Sequence, residues 1–96
     1  MLAWVVYDIS DNTCRKHVSD ACKNYGLYRV QKSVFLGELN SNERDSLAIE
    51  CEEEIDEDVD SVYIFPMDDQ SFKKVKLLGQ AFDKDLVSDE VLTTFF

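Results

Sequence analysis

Asp8 is the one acidic residue in an otherwise apolar opening segment, Leu2-Ala3-Trp4-Val5-Val6-Tyr7-Asp8-Ile9. A carboxylate there costs several kcal/mol if it is buried without a partner, so it needs solvent, a hydrogen bond or a cation. Two readings follow. Asp8 is either a solvated acid where a strand meets water, or a ligand for a hard cation such as Mg²⁺ (or Mn²⁺), which takes one or two carboxylates with water and phosphate oxygens. Near a two-fold axis it would meet its twin from a second chain, and two ionised carboxylates so placed repel unless a cation joins them. The single histidine, His17, is read as a surface or boundary residue rather than a ligand. With no spare histidine to act as base, phosphodiester hydrolysis at Asp8 would need a metal to activate water. Just downstream, Ser10, Asp11 and Asn12 offer helix caps, and the backbone N–H groups there could meet a phosphate, with Arg15 and Lys16 one turn on. Nucleophilic triads, Gly-rich phosphate loops and metal-spaced His/Cys clusters are absent from the sequence. Cys14, Cys22 and Cys51 are odd in number and widely spaced, which argues against a disulfide framework or a zinc site and reads as small buried hydrophobes.

The elements that must position these residues follow from periodicity. Residues 2–9 are apolar on both alternating sets, as in a central strand covered on both faces. Cys14, Val18, Ala21, Cys22 and Tyr25 then form one stripe of a helix, with Arg15, Lys16, Ser19 and Lys23 on its wetter sides and Gly26 closing it. Residues 28–39 are too long for one strand, so a hairpin or bulge is expected near Lys32-Ser33. Asn40 and Glu43 make a capping box for a second helix, with an apolar stripe of Leu47, Ala48, Cys51 and Ile55 and acidic outer faces. A turn over residues 56–60 leads to a strand over 61–65 ended by Pro66, and a further short strand is expected over 74–78, stopping at Gly79. The fold expected is α+β: a ferredoxin-like βαββαβ antiparallel sheet with two helices on one face, plus an extra C-terminal strand. It would occupy residues 1–80, leaving 81–96 as an acidic, apolar tail, either a poorly ordered terminus or a docking segment.

With 96 residues there is room for one small core, so a dimer that buries more surface is expected, the second copy covering the sheet face the helices leave bare. No apolar run is long enough to span a bilayer, and the start lacks the basic flank and cleavage site of a secretory signal, so a cytoplasmic protein with no membrane partner is expected. The net charge of −10 is unevenly spread: residues 1–36 carry +2, residues 37–60 carry −10 and residues 61–96 carry −2. The mean field would repel nucleic acid, so any phosphate-binding surface must come from the first third and from Lys73, Lys74 and Lys76.

Tyr7-Asp8-Ile9-Ser10-Asp11, Arg15-Lys16, Tyr25-Gly26 and the block Arg29-Val30-Gln31-Lys32-Ser33-Val34-Phe35-Leu36-Gly37-Glu38-Leu39 resemble the small CRISPR-associated protein two family. The resemblance is strongest over residues 3–39 and extends over about residues 1–80. It implies a homodimeric ferredoxin-like protein of prokaryotic adaptive immunity that bridges two dimers of the CRISPR integrase and helps bind DNA for insertion as a spacer. It also implies a Mg²⁺-dependent endonuclease acting on RNA or double-stranded DNA. By the same resemblance Asp8 is the catalytic and metal-binding position, paired with the second subunit's Asp8. Tyr7, Ser10, Arg15, Arg29, Ser33 and Phe35 would lie around the dimer cleft or nucleic acid, joining Lys16 of the first helix as the nucleic-acid-binding set, and strand 74–78 would be exchanged onto the partner's sheet. The chain is more acidic than a duplex binder should be, and Cys14 stands where relatives often carry a polar or basic residue. Two alternatives remain: a free-standing toxin-type endoribonuclease of the same fold, or a non-enzymatic ferredoxin-like interaction domain.

Overall fold

A computed structural model describes residues 1–79 of the chain. The elements run β1 (Leu2–Asp8), α1 (Asn12–Asn24), β2 (Tyr28–Gln31), β3 (Val34–Glu38), α2 (Ser41–Glu54), β4 (Ser61–Met67) and α3 (Asp69–Lys73). The sheet order is β2-β3-β1-β4 with every pairing antiparallel, so the split βαβ repeat gives the ferredoxin-like arrangement.

β1 is central, and alternation sends its residues to two separate cores. Ala3, Val5, Tyr7 and Ile9 join Val18 and Cys22 of α1 and Leu47 and Cys51 of α2 in the larger core. Leu2 and Trp4 point the other way and pack with Leu36 and Phe72. The punctuation read from the sequence holds at three places. Gly26 adopts φ +82 after α1, Lys32-Ser33 turn the β2–β3 hairpin, and Asn40 and Glu43 cap α2 reciprocally.

Four expectations are corrected. Residues 74–78 do not form a strand; Asp68 instead caps the short helix α3, its side chain accepting from Ser71 N at 2.6 Å. A strand needs an edge to pair with, and here Val75 packs beside Phe72 on the second sheet face. That face is therefore covered at one end by the chain itself and bare only at the other. Pro66 does not end β4 but lies within it opposite Ala3, a position open to proline because β4 is an edge strand. On the helices, Ala48 is exposed while Ser19 is buried, reversing the faces expected of both.

Gly37 shows why β3 tolerates no side chain there. A Cβ on it would lie 2.8 Å from Leu27 Cδ2 and 3.2 Å from Leu27 Cα, and Leu27 is itself buried. Gly37→Ala is expected to destabilise the protein by about 1–3 kcal/mol, the usual penalty for overpacking. Urea unfolding should show a lower midpoint at unchanged slope.

Candidate nucleic-acid interface

Asp8 ends β1 in register with Ser61, on the same sheet face as Val6 and Tyr63, and its side chain is exposed. The solvated strand end is thus what a single chain provides. Beyond it the chain is tied down by its own polar groups. Asp60 Oδ1 accepts from Ser10 N at 3.2 Å and from Ser10 Oγ at 3.5 Å. Arg15 Nη1 donates to the Ile9 carbonyl at 3.0 Å, and Nη2 donates to Asn12. The start of α1 holds an internal anion: Asp11 Oδ2 accepts from Cys14 N at 2.9 Å, filling the place where a phosphate was expected.

The backbone hydrogen bond from Cys14 holds the Asp11 carboxyl below its ordinary 3.8. The bond from the Ser71 backbone does the same for Asp68, and that from Lys16 for Asp20. Because the folded values lie below the unfolded ones, their stabilisation is complete above 3.8 and is lost as pH falls through the lowered values. The melting temperature should therefore fall progressively on acidification below 3.8, and less steeply in Asp11→Ala, whose melting temperature is already reduced at neutral pH.

Between α1 and the β2–β3 hairpin lies an open groove of about 910 Å³. Its cations are Arg15, Lys16, Lys23, Arg29 and Lys32, against the single acid Asp20. Lys16 is paired with Asp20 at 2.7 Å, whereas Lys23 and Lys32 extend into solvent. Beneath these charges the groove wall is tied together by ring contacts and hydrogen bonds. Tyr7 stacks on Phe35 with ring centroids 6.4 Å apart, and its hydroxyl donates to the Lys32 carbonyl at 3.4 Å. The Arg29 guanidinium lies 5.2 Å from the Phe35 centroid, and its Nη2 donates to Ser19 Oγ at 2.6 Å.

The groove gathers Tyr7, Arg15, Lys16, Arg29 and Ser33 from the sequence candidates. It does not include Asp8, because successive strand residues face opposite ways: Tyr7 points to the helix layer and Asp8 to the far face. Ser10 is turned to Asp60, and Phe35, fully buried, supports Arg29 instead of presenting a surface. Sequence reasoning missed Ser19, Lys23 and Lys32 as groove residues. Helical spacing from Lys16 to Ser19 and Lys23 was the available signal for two of them.

The cysteines carry no chemistry here. Burial pushes the Cys22 thiol up to about 12 and that of Cys51 up to about 11, so both stay protonated. Cys14 is only half-buried, yet burial and its hydrogen bond with Asp11 also raise its thiol. His17 Nδ1 lies 2.7 Å from Glu54 Oε2 and links α1 to α2 at the surface. Among the described residues no group of three or more His, Cys, Asp or Glu side chains comes together to hold a metal. Asp8 fits a hard cation in kind, as a carboxylate open to water, but one chain supplies too few such donors. No helix among the described residues is long and apolar enough to cross a membrane.

A ferredoxin-like sheet with an exposed strand-end carboxylate on one face and a cationic groove on the other defines the structural class. Within that class, residues 1–75 match the family model described as CRISPR associated protein Cas2. An Archaeoglobus fulgidus protein named CRISPR-associated endoribonuclease Cas2 1 is 43% identical over 67 residues, covering 70% of this chain and 71% of its own length. The crystal structure of Streptococcus pyogenes Cas2 superposes with a TM-score of 0.71 at 28% identity, covering 82% of this chain and all of that one. A Thermoproteus tenax protein named as a Cas1/Cas2 endonuclease fusion is 46% identical over 39 residues, 41% of this chain and 15% of the fusion. The chain belongs to the Cas2 family.

Proposed function

We propose that this Cas2 protein acts in spacer acquisition as a homodimeric adaptor that binds duplex DNA and docks on dimers of the CRISPR integrase. The observation that carries the DNA-binding part is the groove, where five cations meet one acid in a chain of net charge −10. Such local excess is what phosphate contacts require, whatever the mean field. The covalent joining of Cas1 and Cas2 in the Thermoproteus tenax relative supports a Cas1-type partner.

The bare end of the second sheet face supports the dimer. Tyr63 and Phe65 are 61% and 40% exposed there, beside half-buried Val6 and Val34. This apolar strip runs up to Asp8, so a two-fold partner on it would bring two Asp8 carboxylates near one another. The pair would supply the carboxylates that Mg²⁺ accepts, and the bound ion would activate water for phosphodiester hydrolysis, on RNA as the names of relatives suggest or on DNA. The chain's own part would be to hold the backbone beside each Asp8, a role that the Arg15 to Ile9 hydrogen bond and the Ser10–Asp60 contacts just beyond support. A docking role for the tail over residues 81–96 belongs to the same proposal; the tail lies outside the described residues.

The test is sizing chromatography of the protein alone and with Cas1, with and without a short labelled duplex, followed by a salt titration of binding. A dimer that joins Cas1 and the duplex, with affinity falling as salt rises, is expected. A monomer indifferent to both would overturn the proposal, and a dimer that cleaves RNA without engaging Cas1 would favour the free-standing endoribonuclease.

A further inference from the structure

Ser19 is buried to 4% exposure, and no other polar or charged residue is as buried among those described. It sits on α1, where an alanine would serve the helix better and leave no polar group to satisfy. Its hydroxyl oxygen accepts from Arg29 Nη2 at 2.6 Å. Arg29 comes from β2, an exposed edge strand, and such a long side chain would otherwise sample many rotamers. Two groups constrain it instead: Ser19 at one nitrogen and the buried Phe35 ring beneath the guanidinium carbon. Phe35 in turn is held by Tyr7, whose hydroxyl reaches the hairpin. A guanidinium has five N–H donors in a planar fork, so the hydrogen given to Ser19 leaves others for an incoming ligand.

We propose that Ser19 is a positioning residue that fixes Arg29 in the groove as a pre-oriented fork for one phosphodiester of bound nucleic acid. The inference rests on the nucleic-acid reading of the groove given above. In this arrangement the other groove lysines supply mobile point charges, whereas Arg29 supplies a fixed point of register. The ordering that a phosphate would otherwise impose on Arg29 is already present in the unbound protein.

The test is binding of a fluorescein-labelled duplex of mixed sequence by the full-length protein, measured by anisotropy across a salt series. Ser19→Ala is expected to weaken binding about 2- to 10-fold, the cost of ordering one long side chain. Its salt slope should match the wild type, because the Arg29 charge remains. Arg29→Ala should lose about 0.9 of slope. Arg29→Lys, which keeps the charge and leaves Ser19 in place, should behave as Ser19→Ala does, because lysine lacks the planar fork. In the Arg29→Ala background, Ser19→Ala should have no further effect on binding. A loss through general weakening of the fold would instead add to that of Arg29→Ala and would overturn the inference. Wild-type affinity in Ser19→Ala or Arg29→Lys would overturn it as well. Failure of the wild-type protein to bind the duplex would overturn this inference and the DNA-binding proposal together, an outcome distinct from a Ser19 variant that binds normally.

Discussion

Asp8→Asn should remove divalent-ion-dependent cleavage, by about 10³-fold or more, while the protein still folds, dimerises and binds duplex DNA. That factor corresponds to the several kcal/mol that a bound metal contributes to phosphodiester hydrolysis. Folding should be untouched because the side chain is exposed and the replacement has the same shape. Binding should persist because the groove lies on the opposite side of the sheet from Asp8. The sign of the effect on dimerisation is itself informative. In buffer containing a chelator the variant dimer should be tighter than the wild type, since two facing carboxylates no longer repel. Cleavage assays on RNA and duplex DNA, with Mg²⁺ and with chelator, would settle the first point and sedimentation the second. Full cleavage by Asp8→Asn would remove this residue from the chemistry.

Lys23→Glu combined with Lys32→Glu should weaken duplex binding by roughly 10²-fold at about 50 mM salt and lower the salt slope by about 1.8, two phosphate contacts' worth. These lysines are better probes of the groove than Arg15, because Arg15 also holds the Ile9 carbonyl and would disturb the β1–α1 loop when removed. Both are exposed, so the fold should lose little beyond the modest cost of an acid in the last turn of α1. Asp8-dependent cleavage of a substrate short enough to bypass the groove should survive in this variant. An unchanged salt titration would exclude the groove as the binding surface.

Local signals in the sequence were strong wherever one residue type has one structural use. Gly26 after a helix, the reciprocal pair Asn40 and Glu43, and the break at Lys32-Ser33 each translate directly into backbone geometry. The segment after Pro66 was not legible in the same way. Phe72 and Val75 are apolar on either reading, and only the apolar Trp4 and Leu36 surface of the sheet, which they cover, decides that they pack as a short helix and its exit. The site was half legible. Tyr7, Arg15, Lys16, Arg29 and Ser33 do share a groove, but Asp8 beside them in sequence faces away, a consequence of strand alternation that motif spacing hides. Ser19 was legible only in place: helical spacing sets it beside Lys16, but a serine among polar neighbours looks solvated until a distant arginine closes over it.

α1 has the cationic groove along one side and α2 packed on the other, and α2 carries much of the acid of residues 37–60. The molecule is therefore an electric dipole as well as an anion, and an approaching polyanion feels a torque as well as a net repulsion. When the Debye length is about 30 Å, at ~0.01 M salt, the acidic half reaches across the whole protein, and at ~0.15 M, with about 8 Å, it does not. Low salt thus turns away encounters on the wrong side and admits those aligned with the groove, whereas physiological salt leaves orientation to collision. If the groove binds nucleic acid as proposed, the acidic helix would at low salt sort approaching molecules by orientation before any contact is made.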